Sequence, residues 1–579
     1  MRFLTGSGGP TAAGGGTDPG GTGPGGGDGG GADGAGTDPG AAGTGRSGTR
    51  PAAPSGAGRW YRRPGARLPA ALLAGALPAL AFPAPSLWWW AYGALVPWML
   101  LLRTAPTGRR AALEGWLGGL GLVVALHHWL LPSLHVFLLP LAALLGVLWI
   151  PWALLVRALL AGRPRARRAA AALVLVPSGW LLSELARSWE GLGGPWGLLG
   201  ASQWQVPAVL RVASVGGVWL AGLLVVAVNT ALVLLLTGPR SPRVAVAGAA
   251  GLAVCAAGTV AAWAWAPQPR AYGALRVAVV QPGVVAGPDS VERRFTEAER
   301  LTRQPALRGV DLVVWGESGV GADLDARPDL LRRLTAAARE VGAPLLVNVD
   351  ARADARGDRP AGIYKSAVLV DGRGPTGDRY DKMRLVPFGE YVPARELLGW
   401  ATSVGRAAGE DRRRGAAPVV MELPGRPGVR IGPLVCFESA FPDMSRYLAG
   451  HGADLIVVQS ATSSFQDSWA PAQHASLGAL RAAETGRPVV HATLTGQSAG
   501  YLPSGAPAGP PLGTSARAAT VYGVPLVTGR TLFVRYGPWP VYAALSALAA
   551  AGLVGLAGRG RRTARDGSGP GVSGRPPGR

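Results

Sequence analysis

The stretch Ile431-Gly-Pro-Leu-Val-Cys-Phe-Glu-Ser439 decides how this chain is read. It is a short apolar run that stops at a thiol and continues with a carboxylate, the pattern of a buried strand that delivers a polar group at its end. In α/β sheets the reactive groups sit at or just after strand ends. Two other stretches place candidates at or just after such ends. Asp311-Leu-Val-Val-Trp-Gly-Glu-Ser318 ends at Glu317, and Lys382 lies just inside Tyr380-Asp-Lys-Met-Arg-Leu-Val-Pro-Phe-Gly-Glu-Tyr-Val-Pro393. Glu317, Lys382 and Cys436 are therefore the candidate base, cation and nucleophile.

Around these stretches, short β-branched runs recur at 276–281, 344–349, 366–370, 454–459 and 488–493, with helix-like segments at 328–341 and 473–485. The alternation predicts one α/β unit over residues 267–535, and no repeat of 20 to 50 residues interrupts it. Outside that unit the chain changes character. Eight apolar runs suit a bilayer that needs roughly 20 residues per helix. Seven precede the unit, near 68–82, 87–102, 111–131, 136–159, 169–186, 208–236 and 244–265, and one follows it near 540–557. Pro78, Pro83, Pro85 and Pro97 blur the bounds of the first two runs.

Composition agrees with a membrane protein: 48% of the 579 residues are hydrophobic and 16% charged. A formal charge of +23 would suit a nucleic-acid binder, but the arginines sit in the tails and in loops between apolar runs, so a nucleic-acid partner is not expected. Arginines precede the first run (Arg59, Arg62, Arg63, Arg67) and follow the second (Arg103, Arg109, Arg110), the fourth (Arg163, Arg165, Arg167, Arg168), the sixth (Arg240, Arg243) and the last (Arg559, Arg561, Arg562, Arg565). The connections 132–135 and 189–205 carry none. By the positive-inside rule both termini are cytoplasmic and the α/β unit is extracytoplasmic.

The expected organisation is a disordered Gly/Pro-rich cytoplasmic tail over 1–58, a seven-helix membrane domain over 59–266, the α/β domain over 267–535, a last membrane helix over 536–558 and a basic disordered tail over 559–579. The first tail carries too little apolar content to offset the entropy of folding. It has no secretory-signal pattern, so the first membrane helix is expected to direct insertion.

Only two of the 57 basic residues are lysine, Lys365 and Lys382. Lys365 reads as a surface charge. There are two cysteines, so no disulfide framework arises, and Cys255 inside an apolar run reads as a small hydrophobe. The six histidines lack ligand spacing, and neither a metal nor another cofactor is expected. Trp88, Trp89 and Trp90 suit an interfacial belt. Glu184 and Arg187, a helical turn apart, either meet lipid head groups or pair with each other.

Glu317, Lys382 and Cys436 resemble the Glu-Lys-Cys triad of the nitrilase superfamily. Set among membrane spans, most of the chain beyond the first tail resembles the apolipoprotein N-acyltransferase family. The likeness is carried by Trp180-Leu-Leu-Ser-Glu184 with Arg187, Gly194-Pro-Trp196, Gln203 and Asn229, then by Val279-Val-Gln281, Leu385-Val-Pro-Phe-Gly-Glu-Tyr391, Arg481-Ala-Ala-Glu-Thr-Gly-Arg-Pro488 and Thr495-Gly496.

The fold so implied is a multi-pass α-helical membrane domain of about eight spans joined to a nitrilase-like α/β domain, an αββα sandwich. The activity implied is transfer of a fatty acyl chain from a phospholipid to the α-amine of the S-diacylglyceryl cysteine of a lipoprotein, through a Cys436 thioester. Glu317 would move protons and Lys382 would stabilise the oxyanion, with Glu390 and Glu438 holding the lysine and ordering the pocket. The implied setting is a bacterial cell (inner) membrane protein, multi-pass and monomeric.

Gly316, Phe437, Leu494 and the loop Ser460-Ala-Thr-Ser-Ser464 depart from the family pattern and leave the triad intact. Two alternatives stand beside this reading: a membrane-anchored nitrilase-type amidase, and a non-catalytic membrane scaffold paralogue.

Overall fold

A computed structural model describes residues 64–238, 241–285, 287–353, 361–393, 395–398 and 410–566. The expected tail over 1–58 and the arginines Arg59, Arg62, Arg63 and Arg240 lie outside them, as does the chain beyond 566.

Eleven strands form two sheets among the described residues. The six-stranded sheet runs β11-β1-β2-β3-β4-β5 and the five-stranded sheet β10-β9-β8-β7-β6. The strands are β1 (Arg270–Gln281), β2 (Leu312–Trp315), β3 (Leu345–Ala353), β4 (Gly362–Asp371), β5 (Gly374–Asp381), β6 (Met421–Glu422), β7 (Arg430–Val435), β8 (Leu455–Ser460), β9 (Val489–Thr493), β10 (Ala499–Tyr501) and β11 (Ala518–Thr528). β1-β2-β3 and β7-β8-β9 are parallel and central, with antiparallel strands outside them. Parallel strands must be buried on both faces, which is why they read as continuous apolar runs.

The period of two divides each inner strand between two cores. Val277 and Val279 of β1 and Leu312 and Val314 of β2 point towards the second sheet, into the cluster that holds Ile431, Leu434, Val457 and Val490. Ala278, Val280, Val313 and Trp315 point the other way, onto the helices Ser290–Thr302 and Pro328–Val341. In Pro328–Val341 the buried residues Leu330, Leu334, Ala337, Ala338 and Val341 form one stripe at helical spacing. The helices Pro442–Gly450 and Ala470–Thr485 cover the second sheet, completing four layers, helix, sheet, sheet, helix. Gln459 stitches the sheets together, donating from Nε2 to the carbonyls of Trp315 (2.9 Å) and Leu346 (3.1 Å).

Five helical segments among the described residues are long and apolar enough to cross a membrane: Gly108–Leu160, Ala166–Arg187, Pro207–Thr237, Pro242–Trp265 and Trp539–Ala557. The expected count of eight is not reached on that measure, for two physical reasons. The run Gly108–Leu160 is a hairpin. Its first leg Gly108–His127 packs back on Leu138–Gly146 and Ile150–Leu160 across short turns of helix at 128–137. The legs approach so closely at Gly119 that a Cβ there would lie 2.6 Å from the Gly146 carbonyl oxygen, a small-residue crossing of the kind membrane helices use. The first two expected runs are instead broken into short pieces: Pro64–Ala76 followed by 3-10 helix over Leu77–Ala81, then Trp88–Trp90, Ala91–Ala94 and Val96–Arg103. Pro78, Pro83, Pro85 and Pro97 remove backbone donors at the breaks after Ala76, after Ala81 and before Val96–Arg103.

The last helix runs Trp539–Asp566, past the expected end at residue 558. Pro207–Thr237 is kinked at Gly216 and Gly217, whose backbone angles are not helical. Arg67 and Arg110, read from sequence as topology signals, also hold a buried carboxylate. Glu114 receives Arg67 at 2.6 and 2.8 Å and Arg110 at 2.8 Å, tying Pro64–Ala76 to Gly108–His127.

Candidate active site

Strand β7 ends one residue before Cys436, which opens a short 3-10 turn over Cys436–Ala440 and takes a left-handed φ of +53°. An L-residue holds that conformation only when its surroundings over-determine it. The carbonyl of Cys436 accepts from Ser439 Oγ (3.0 Å) and from His474 Nε2 (2.9 Å). The thiol is half-buried and pushed up to about 12. Burial is the main cause, and the charges of Glu317 and Glu390 add to it. Lys382 and a hydrogen bond with Ser460 work the other way. At neutral pH the resting sulfur is a thiol.

Glu317 follows β2, buried, its backbone N–H donating to the Ser460 carbonyl at 3.1 Å. Lys382 follows β5, its backbone N–H donating to the Lys365 carbonyl at 2.8 Å. Its ammonium is 1% exposed and lies 3.0 Å from Glu317 Oε1 and 2.9 Å from Glu390 Oε1. Burial alone would lower the affinity of Lys382 for its proton, but Glu317, Glu390 and Cys436 outweigh it and hold the lysine well above its ordinary value. The ammonium therefore stays charged where a neutral amine could not stabilise an anion. The structure brings Glu317, Lys382 and Cys436 together from three strand ends, with Glu390 on the lysine.

Glu438 does something other than hold the lysine. Its Oε1 accepts from the Tyr380 hydroxyl (2.7 Å) and from the backbone N–H groups of Met383 (2.7 Å) and Arg384 (3.0 Å), while Oε2 accepts from Val435 N–H (2.8 Å). The turn after Cys436 aims this carboxylate at the backbone either side of the site, so it joins the Cys436 and Lys382 segments. Burial raises the pKa of Glu438 above the usual carboxylate value.

Lys365 is no surface charge. It is largely buried on β4, 2.6 Å from Asp350 Oδ1 and hydrogen-bonded to the Ser318 hydroxyl. Ser318 has φ +54° and gives its N–H to Asn348 Oδ1 at 2.9 Å. Lys365, Asp350 and Asn348 thus brace the bend that immediately follows Glu317. Both lysines of an arginine-dominated chain lie at the site, and that rarity was the signal in the sequence.

The helical segments close the site from one side. Glu190 accepts the Leu385 N–H (3.1 Å) and pairs with Arg384 (3.1 Å) and Arg414 (2.5 Å), gripping the segment next to Lys382. Trp196 donates to Gln473 Oε1 at 2.8 Å, and its ring lies 5.4 Å from Trp129 and 5.3 Å from His474. Phe465 stands edge-on to Trp129 at 4.9 Å. Gly194 has φ +67°, and a Cβ there would lie 2.6 Å from the Phe437 ring and 2.8 Å from Phe441. Glu184 and Arg187 brace the loop that carries these residues, Glu184 accepting Leu199 N–H (2.7 Å) and Arg187 donating to the Gly194 carbonyl (3.3 Å). The kink at Gly216 and Gly217 is held from the α/β side, where Glu484 Oε1 accepts Val218 N–H at 2.6 Å. Among the described residues no cluster of three or more His, Cys, Asp or Glu is placed to hold a metal ion.

A thiol, a carboxylate in its electrostatic reach and a fixed buried cation together suit covalent acyl chemistry. Known proteins place the chain in the same region. The family description "Apolipoprotein N-acyltransferase N-terminal domain" matches residues 74–231, and "Carbon-nitrogen hydrolase" matches 276–514. The chain is 33% identical over 551 residues to an apolipoprotein N-acyltransferase of Azotobacter vinelandii, covering 89% of this chain and 99% of that one. It is 30% identical over 429 residues to that of Geobacter metallireducens, covering 72% and 81%. Among solved structures, an amidase of the nitrilase superfamily from Nesterenkonia AN1 is 22% identical, with 46% of this chain and 96% of that one covered and a TM-score of 0.32. The chain is a membrane acyltransferase built on a carbon-nitrogen hydrolase domain, and it belongs to the apolipoprotein N-acyltransferase family.

Proposed function

We propose that the chain N-acylates lipoproteins by a two-step transfer in which Cys436 carries the acyl group. In the first step Glu317 takes the thiol proton as sulfur attacks the carbonyl carbon of a phospholipid acyl ester. Lys382 stabilises the oxyanion, the ester C–O bond breaks, and lysophospholipid leaves with the proton returned from Glu317. In the second step the α-amine of an S-diacylglyceryl cysteine attacks the thioester. Glu317 takes its proton and passes it to the departing sulfur as the C–S bond breaks, giving the amide and the free thiol. Glu390 holds the ammonium in place, and Glu438 fixes the backbone on both sides.

The observation that carries this reading is the chain of contacts from Glu390 through the Lys382 ammonium to Glu317, with Cys436 in its electrostatic reach. A thiol held near 12 is a poor nucleophile until a base removes its proton during attack, and the electrostatic influence of Glu317 on the thiol supports giving it that task. Glu190 and Trp196 join the helical segments to the site, which suits two amphiphilic substrates arriving from the bilayer and helps keep water out. The same reading puts the tails over 1–58 and 559–579 in the cytoplasm, the helical domain over 59–266 and the helix over 536–558 in the bacterial inner membrane, and the α/β domain over 267–535 outside, in a chain that acts as a monomer.

The test is acyl transfer from a phospholipid labelled in its acyl chain to a synthetic S-diacylglyceryl-cysteinyl peptide. The native chain is expected to label the peptide, and Cys436→Ser and Glu317→Gln are expected to lose at least about 100-fold. Unlabelled peptide with release of free fatty acid would favour hydrolysis instead, and full activity in Cys436→Ser would end the thioester account.

A further inference from the structure

Behind Cys436 lies a buried imidazole that the proposed chemistry does not use. His474 is 2% exposed on the helix Ala470–Thr485, and both ring nitrogens are engaged. Nε2 is 2.9 Å from the Cys436 carbonyl and 3.0 Å from Ser439 Oγ, and Nδ1 is 3.1 Å from Ser460 Oγ. Burial, reinforced by the charge of Lys382, pulls the ring down to about 4 against the hydrogen bond to Cys436, so it is neutral at pH 7 and carries one N–H. A carbonyl can only accept, so that proton is on Nε2. Nδ1 then accepts, and the Ser460 hydroxyl donates to it. The Ser460 hydroxyl so held lies close enough to Cys436 to act on its thiol. The Ser460 carbonyl takes the backbone N–H groups of Glu317 (3.1 Å) and Leu494 (2.8 Å). One imidazole thus fixes the carbonyl of a residue at φ +53° and, through one serine, reaches both its thiol and the backbone of Glu317.

We infer that His474 is a positioning residue: with Ser460 as its arm it holds Cys436 in the left-handed conformation that presents sulfur beside Glu317 and Lys382. This rests on Cys436 being the nucleophile, as proposed above. His474 itself touches no reacting atom.

The test uses the full chain in phospholipid-detergent micelles with Cys255→Ala as background, so that Cys436 is the sole thiol. The variants are His474→Ala, His474→Gln and Ser460→Ala, with Cys436→Ala as a check on the nucleophile. Each is measured for kcat and KM of acyl transfer, for alkylation of Cys436 by iodoacetamide at pH 9, and for thermal unfolding. A displacement of the nucleophile by about 1 Å costs on the order of 100-fold. His474→Ala is therefore expected to lose about 100-fold in kcat with KM changed less than about threefold, while alkylation, which needs no alignment with Glu317, stays within about threefold. His474→Gln places an amide N–H near the Nε2 position and is expected to recover about tenfold of that loss.

Ser460→Ala is expected to keep the native unfolding midpoint and lose about tenfold in kcat. It decides the matter if His474→Ala does not fold. Native kcat in His474→Ala, or in a folded Ser460→Ala, overturns the inference. So does parallel loss of transfer, alkylation and unfolding midpoint in every folded variant, since that marks a structural role alone. Retained transfer in Cys436→Ala would overturn the nucleophile assignment instead, and the two failures are thereby told apart.

Discussion

Replacing Lys382 with methionine keeps most of the unbranched side chain and removes one buried charge. The ammonium is 1% exposed and sits between two carboxylates at 3.0 and 2.9 Å, so Lys382→Met leaves Glu317 and Glu390 facing each other with no cation between them. Removing one partner of a buried ion pair costs about 3–5 kcal/mol, mostly through the charge left behind. In a unit of this size each kcal/mol moves the unfolding midpoint by about 2–4 °C, so a fall of about 10 °C is expected. The double variant Lys382→Met/Glu390→Gln relieves the facing carboxylates and is expected to regain about half of that.

The sign of the pH dependence follows from the raised lysine. Its contribution is fully present below the unfolded value near 10.5 and is lost only as pH rises through the higher folded value. The gap between native protein and Lys382→Met is therefore expected to stay level between about pH 7 and pH 9. Scanning calorimetry of the detergent-solubilised protein reads these quantities, and loss of one oxyanion donor predicts at least about 100-fold lower acyl transfer in the same samples. A midpoint shift under about 2 °C, or a double variant no better than the single one, would refute the claim that the lysine holds two buried carboxylates.

Other perturbations follow from neighbouring contacts. Alkylation of Cys436 by iodoacetamide should keep accelerating with pH up to about pH 10, because the thiol is pushed up to about 12; a plateau below pH 9 would contradict that environment. Glu484 is fully buried with a carboxyl raised to about 7 by burial, its Oε2 2.9 Å from Arg481 Nε but out of hydrogen-bonding line. An acid raised on folding favours the folded state below its unfolded value, and that advantage fades as pH rises towards 7. The native midpoint should therefore drop from pH 5 to pH 7.5 by more than that of Glu484→Gln, and equal slopes would contradict it. Gly194→Ala puts a methyl group into the Phe437 and Phe441 rings at a left-handed position, and should lower both kcat and the unfolding midpoint, as assay and calorimetry would show. Lys365→Ala frees the Ser318 bend after Glu317 and should lower kcat at least about tenfold with little change in KM, whereas Lys365 as a mere surface charge would leave both unchanged.

Much of the α/β domain was legible because its signals are local. The apolar runs ending at Glu317 and Cys436 are central parallel strands, and the amphipathic stretch at 328–341 is the helix Pro328–Val341. The triad could be named because each member sits at a strand end. What escaped the sequence is made by long-range geometry. Lys365 meets Asp350 only because β3 and β4 pair in that register, and Glu190 reaches Leu385 and Arg414 from a loop between helical segments. The family resemblance implied that Glu438 holds the lysine and orders the pocket; its hydrogen bonds go to Tyr380 and to backbone N–H groups, which the turn after Cys436 decides. Hydropathy separated the two legs of the hairpin, at 111–131 and 136–159, but it counts proline-broken pieces near 68–102 as full spans.

The central claim is that Cys436 carries the acyl group. The direct measurement is the intact mass of the purified chain after incubation with a phospholipid of defined acyl chains and no acceptor, with Cys436→Ala alongside. The account predicts a gain of one acyl mass on the native chain alone, removed by neutral hydroxylamine and by addition of an S-diacylglyceryl-cysteinyl peptide. An unmodified native chain that still acylates the peptide, or an equal adduct on Cys436→Ala, would contradict it.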